Sequence, residues 1–217
     1  MNHKGLLIVI SGFSGAGKGT LVKKLTDEYD RYALSVSMTT RAPRVGEQHG
    51  REYFFVSKEE FEAKIQQEGL IEYANYCGNY YGTPKDYVMS MLEQGKNVIL
   101  EIEIQGAMKI KERFPEAVLL FVMTPSVAEL ERRLIGRGTE SEEVIRTRLS
   151  RAREEAVGIE DYDYIIVNDD LDTCVKELHQ LVEESYEGLQ ASHHPSNYKE
   201  LIEKSREELK ALAKGEK

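Results

Sequence analysis

"LLIVI", residues 6 to 10, runs through Ser11 into "GFSGAGKGT", residues 12 to 20, and the reading of this join decides the fold. Four glycines, a lysine and a threonine fall within nine positions directly after an apolar run. Glycine loses more conformational freedom on ordering than any other residue, so such a cluster needs a reason, and close approach of backbone amides to a phosphate supplies one. The spacing Gly12, Gly17, Lys18 follows G-x-x-x-x-G-K-[ST], with Phe13, Ser14, Gly15 and Ala16 spanning the loop and the lysine reaching phosphate oxygens. Gly19 stands where the hydroxyl is expected and Thr20 follows one position later, which puts direct binding of Mg²⁺ by that hydroxyl in question. LLIVI reads as a short buried strand, and TLVKKLTDEY, residues 20 to 29, carries apolar residues at helical spacing, giving the strand, loop, helix order the motif requires. The dinucleotide pattern G-x-G-x-x-G fails, because Gly15 and Gly17 lead to Thr20. A plain glycine turn accounts for neither Lys18 nor the flanking segments.

Outward from this loop, apolar runs alternate with helical patterns. ALSV (33–36) is strand-like, and the polar stretch after it reads as loop with short strands. SKEEFEAKIQQEG (57–69) carries a capping box in Ser57 and Glu60, with Gly69 placed to close the helix. IEYANYC then reads as strand and YYGTP as turn, before a helix over about 85 to 94. NVILEIEIQGA (97–107) alternates as one strand, with Glu101 and Glu103 sharing a face near its end. In open parallel sheets ligands gather beyond the carboxyl ends of strands, so these glutamates are candidates for the phosphate site; an edge strand with a solvated face is the alternative. AVLLFVM (117–123) and YIIVN (164–168) are further strands, followed by helices over about 126–135 and 171–186. This order predicts an α/β fold with a doubly wound parallel sheet.

The chain has 217 residues, enough for a sizeable core, and a net charge of -9, which argues against general nucleic-acid binding. Two cysteines, Cys77 and Cys174, lie in no metal spacing and read as ordinary thiols of a reducing compartment. No run of about 18 apolar residues occurs, and the start MNHKG lacks a signal-peptide pattern, so a soluble cytoplasmic protein with no membrane partner is expected. Arg132, Arg133, Arg137, Arg146, Arg148, Arg151 and Arg153 form a local basic excess. Helical pairs such as Glu129 with Arg133 and Glu142 with Arg146 explain part of it. Arg137, between Gly136 and Gly138, is instead suited to swing over transferring phosphates. The charged segment after about residue 190 reads as a partly independent terminal helix, with His193 and His194 in a solvated turn.

The ordered blocks SVSMTTRAPRVGEQHGREYFFV, IEYANYCGNYYGT, LEIEIQGA, RRLIGRGTE and IIVNDDL make residues 5 to 188 resemble the guanylate kinases, of the nucleoside monophosphate kinase group. The resemblance implies a P-loop core with a small mixed GMP-binding insertion (37–84) and a helical lid (135–158). Core segments would then be 1–36, 85–134 and 159–189, with a charged helical tail over 190–217. It implies phosphorylation of GMP, and of dGMP, by MgATP in purine nucleotide metabolism and GMP recycling. On the GMP side it assigns Glu72 as base-reading carboxylate with Thr83 and Ser37 as hydroxyls, Arg41 and Arg44 as phosphate arginines, and Tyr53, Tyr81, Glu47, Glu101 and Glu103 beside them. On the ATP side it assigns the loop 12–20, the arginines Arg133, Arg137 and Arg148, and Asn168 at the adenine end. Mg²⁺ would ride on the nucleotide phosphates, with water-mediated help from Thr20, Glu101 and Glu103. Without the resemblance, Glu72 reads as a solvent-facing strand residue and RAPR as a basic turn. Two departures stand out: Glu103 occupies a place where many members carry Asp, and the tail lies past the family's usual end. The same fold also occurs as catalytically silent phosphopeptide-binding modules and as ribosyl-phosphate kinases, and the oligomeric expectation is monomer or homodimer.

Overall fold

The computed structural model describes residues 4–76, 78–136, 142–186 and 193–214. In chain order the elements are β1 (Leu7–Gly12), α1 (Lys18–Glu28), β2 (Tyr32–Leu34), β3 (Met38–Thr39), β4 (Phe54–Phe55), α2 (Lys58–Gln66), β5 (Leu70–Tyr76), β6 (Asn79–Pro84), α3 (Lys85–Glu93), β7 (Asn97–Glu101), α4 (Ile104–Arg113), β8 (Val118–Met123), α5 (Val127–Gly136), α6 (Glu142–Glu155), β9 (Tyr164–Val167), α7 (Leu171–Tyr186) and α8 (Lys199–Lys214). Short 3-10 turns lie at Ala156–Asp161 and Pro195–Tyr198. Five strands form a sheet in the order β2-β7-β1-β8-β9. The pairs β2–β7 and β8–β9 are parallel, from Tyr32 with Asn97 to Leu34 with Ile99 and from Leu120 with Tyr164 to Met123 with Val167. β1 and β8 are buried at every position, as expected of parallel strands covered on both faces.

The chain divides into two compact units, one taking the chain up to Val9 with Tyr29–Ala117, the other Ile10–Glu28 with the chain from Val118 onward. The first unit holds a mixed four-stranded sheet, β4-β3-β6-β5, in which β3 runs parallel to β4 and antiparallel to β6. Its small core is Met38, Phe61 and Leu70, with Tyr80 stacked on Phe61 at 5.1 Å. The capping box forms as expected: Glu60 N–H donates to Ser57 Oγ at 3.1 Å and Ser57 N–H to the Glu60 carboxylate at 2.8 Å. Helix α2 closes differently from the sequence expectation. Glu68, not Gly69, takes the left-handed conformation (φ 51°), with its N–H on Ile65 O and the Gly69 N–H on Lys64 O. YYGTP is not a turn but most of β6, paired with β5. Nor is 97–107 one strand: β7 ends at Glu101, Glu103 is the N-cap of α4, and Val98, Ile99 and Leu100 are all buried because β7 lies inside the sheet.

In the second unit α1 packs on α7, and Phe121 stands between Phe13 and Tyr162 in edge-on contacts of 5.2 Å each. Ser126 Oγ accepts the Glu129 N–H at the start of α5. The tail is not independent. Helix α8 packs on α6, α5 and the 3-10 turn at Ala156–Asp161, burying Ile202, Ser205 and Leu209 along one face. His193 accepts the Ile165 N–H through its carbonyl at 2.8 Å and stacks on Tyr198, and the His194 ring accepts the Ser196 N–H. Cys174 is buried, and its thiol donates to Val167 O.

Candidate active site

The glycine-rich loop 12–20 belongs to the second unit. Gly12, Gly15 and Gly17 all have left-handed φ (147°, 103° and 92°), which L side chains rarely adopt. Space is short as well: a Cβ on Gly12 would lie 2.0 Å from the Val122 carbonyl oxygen, and one on Gly17 would lie 2.5 Å from Asn168 Nδ2. Phe13 ties the loop to β8 by donating its N–H to Val122 O at 3.3 Å. Lys18 opens α1 and folds its ammonium back over the loop, donating to Gly12 O at 2.7 Å and Phe13 O at 3.2 Å. The N-terminal end of α1 and this cation give the loop the character of an anion site.

Three side chains from other elements meet the loop. Arg148 of α6 donates from Nη1 to Ser14 Oγ at 2.7 Å, and Arg133 of α5 donates from Nη1 to Ala16 O at 3.4 Å while its Nε holds Glu129 at 2.6 Å. Arg132 and Arg133 together hold the Glu129 carboxyl well below the usual carboxylate range. Buried Asn168, just after β9, donates Nδ2 to Ala16 O at 2.7 Å, so this amide braces the loop backbone. Thr20 is exposed in the first turn of α1. Arg137 lies outside the described residues.

The second cluster belongs to the first unit and centres on Glu72. A register shift between Leu70 and Glu72 breaks the alternation of β5, and Leu70, Ile71 and Glu72 are buried in succession. Glu72 sits opposite Thr83 on β6, whose hydroxyl donates to Glu72 Oε1 at 2.7 Å. Burial pushes the Glu72 carboxyl up to about 6, against the opposing effects of the Thr83 hydroxyl and the Lys109 ammonium. Gly106 in the first turn of α4 makes room for this carboxylate, since a Cβ there would lie 3.2 Å from Oε2. Half-buried Glu103 is raised by burial too, and its Oε1 is buried with no hydrogen-bond partner among the described residues.

Nearby, Arg41 and Glu47 form a bidentate pair, Nη1 to Oε2 and Nη2 to Oε1 at 3.0 Å each, and Glu47 also accepts the Arg44 N–H at 2.7 Å. That carboxylate folds the RAPR turn back on itself and lowers its own proton affinity through Arg41. The Arg41 guanidinium lies 5.4 Å from the Tyr53 ring centre, and Tyr53 meets Tyr81 edge-on at 5.9 Å. Arg44 is exposed, Ser37 is half-buried, and Glu101 ends β7 exposed. The structure therefore brings Glu72, Thr83, Gly106 and Glu103 together, and separately Arg41, Glu47, Tyr53 and Tyr81.

The family model for guanylate kinase matches residues 4–185. The chain belongs to the guanylate kinase family. It is 52% identical over 180 residues to the guanylate kinase of Halalkalibacterium halodurans, covering 83% of this chain and 88% of that one. With the guanylate kinase of Clostridioides difficile it shares 51% identity over 207 residues, 95% of this chain and 98% of that one. The crystal structure of guanylate kinase from Anaplasma phagocytophilum superposes with a TM-score of 0.69 at 34% identity, covering 83% of this chain and 86% of that one. The Clostridioides match reaches into the tail, so the terminal segment is not peculiar to this guanylate kinase sequence. Two site features of this family member escaped sequence reading. Gly106 carries no periodicity signal, and Lys109, which donates to Tyr73 O at 2.9 Å and pulls on both Glu72 and Glu103, looks like any exposed helix lysine.

Proposed function

We propose that this chain transfers the γ-phosphoryl group of ATP directly to a phosphate oxygen of GMP or dGMP, giving ADP and the guanine diphosphate, in cytoplasmic purine nucleotide metabolism and GMP recycling. The observation that carries the choice of acceptor is the buried Glu72 carboxylate held by Thr83. Guanine presents N1–H and its exocyclic amino group as adjacent donors, which an ionised carboxylate accepts together, whereas adenine presents a bare N1 at that edge. The unpartnered Oε1 of Glu103 is a further acceptor in the same unit. Arg41 and Arg44, with Tyr53 and Tyr81, suit the acceptor phosphate, because guanidinium forks match a phosphate dianion. Glu47 then acts as the anion that holds Arg41 and the RAPR turn in shape.

On the donor side, Lys18, the loop amides and the arginines Arg133, Arg137 and Arg148 position the phosphates and neutralise their charge. A phosphate oxygen is already ionised, so no strong base is required of the protein. Among the described residues no three His, Cys, Asp or Glu side chains gather as a metal cage. In this proposal Mg²⁺ would arrive on the nucleotide phosphates and keep much of its water, with the hydroxyl of Thr20 or the carboxylates of Glu101 and Glu103 as water-mediated ligands. When bound, that ion would supply charge neutralisation to the phosphates. In this reading residues 37–84 are the acceptor-binding insertion and 135–158 the lid. No helix among the described residues is long and apolar enough to cross a membrane.

Titration calorimetry with GMP, AMP and MgATP tests this reading. GMP and MgATP should each bind, and AMP should bind far more weakly than GMP. Equal affinity for GMP and AMP would overturn the role given to Glu72.

A further inference from the structure

Helix α8 touches both helices that send arginines to the phosphate loop. At the end of α6, the Arg206 guanidinium donates from Nε to Ala156 O at 2.9 Å and from Nη2 to Val157 O at 3.3 Å, and it also bonds the Glu160 carboxylate and Glu203. These two carbonyls lie where α6 runs into the 3-10 turn, the place where a helix leaves acceptors without intrahelical partners and where a cation is favoured. At the start of α5, the Glu208 carboxylate accepts the Val127 N–H at 3.4 Å. Between these polar ties, the buried stripe Ile202, Ser205, Leu209 faces α6, whose own Leu149 and Ala152 are buried. Leu149 directly follows Arg148 in the chain.

We propose that Arg206 is a positioning residue for the ATP site, and that α8 sets the reach of Arg148 to Ser14 by fixing the far end of α6. A helix transmits displacement along its axis with little loss, because its hydrogen-bonded ladder and packed face resist bending. Arg148 lies about two turns from the end that Arg206 holds. Its bond to Ser14 tolerates a shift of only a few tenths of an ångström before it weakens. The guanidinium suits the task because its planar fork reaches a backbone carbonyl and a carboxylate together, which an ammonium cannot reproduce. This inference rests on the proposed role of the loop as the ATP phosphate site.

Steady-state kinetics on the full chain test it. Arg206→Ala should raise KM for ATP by about 5-fold, with KM for GMP within about twofold of the parent. In an Arg148→Ala background the same substitution should add almost nothing, because two residues acting through one contact are not additive. Arg206→Lys, which keeps the stem and the charge, should fold and give an intermediate KM for ATP. An unchanged KM for ATP in both Arg206 variants, or a full Arg206→Ala effect persisting without Arg148, would overturn the proposal and leave α8 a stabilising element only. A parent protein with no ATP- and GMP-dependent turnover would instead sink the functional reading beneath it.

Discussion

The Thr83 hydroxyl donates to Glu72 Oε1 at 2.7 Å across a pair of antiparallel strands, holding a carboxylate that is only 6% exposed. In the proposed role of reading the guanine edge, a carboxylate fixed this way would discriminate sharply, because the wrong partner leaves buried polar atoms unpaired. Glu72→Gln should lower kcat/KM for GMP by about 10² or more while changing KM for ATP little. Thr83→Val should cost less, about 10-fold, since it removes one supporting hydrogen bond. Initial rates with each nucleotide varied in turn check both.

Glu72 also sets a pH dependence. Its ordinary value is 4.5 and the folded chain raises it to about 6, so between those values the native state holds more proton than the unfolded one. Stability from this group is full below about 4.5 and is lost as pH rises through about 6. Under the proposed role, GMP binding would run the other way, because accepting two N–H donors requires the ionised form. KM for GMP should therefore climb as pH falls below about 6, and urea denaturation of Glu72→Gln should show a flatter stability profile over that window.

Much of this fold is legible in the sequence because its strands are short, apolar and bounded by strong turn and cap signals. The loop 12–20 announces itself by glycine spacing, and α2 by its capping box. Glu72 is opaque for a physical reason. Alternation read from the apolar residues of IEYANY groups Ile71 with Tyr73 and sends Glu72 to solvent, whereas in the paired strand Glu72 shares the buried face with Ala74 while Tyr73 and Asn75 are exposed. YYGTP misleads in the same way, since its glycine and proline read as a turn until pairing with β5 makes it a strand. Glu103 falls just past β7, where a two-residue period no longer applies and an N-cap begins. The docking of α8 rests on Ile202, Ser205 and Leu209, a narrow stripe hidden in a charge-rich segment.

Lys18 donates to two loop carbonyls, Gly12 O at 2.7 Å and Phe13 O at 3.2 Å, and in the proposed function it meets the donor phosphates. Lys18→Ala should reduce kcat by about 10² to 10³ and leave calorimetric GMP binding largely intact. Retained turnover would contradict the role given to the loop.

Gly12 tests the loop's geometry independently of catalysis. With φ at 147° and a would-be Cβ 2.0 Å from a backbone oxygen of β8, Gly12→Ala must move the strand or the loop. The substitution should cost about 3 kcal/mol or more and lower the melting temperature by several degrees, whether or not nucleotide is present. Calorimetric melting of the free protein reads this directly.

The most direct test of the whole account is ADP release coupled to an optical readout, with MgATP as donor and GMP, dGMP, AMP, CMP, UMP or a ribosyl bisphosphate as acceptor. The account predicts rapid release with GMP and dGMP and rates at least about 10³ lower with AMP, CMP and UMP. Release independent of any acceptor, a preference for the sugar bisphosphate, or no release with GMP would contradict it.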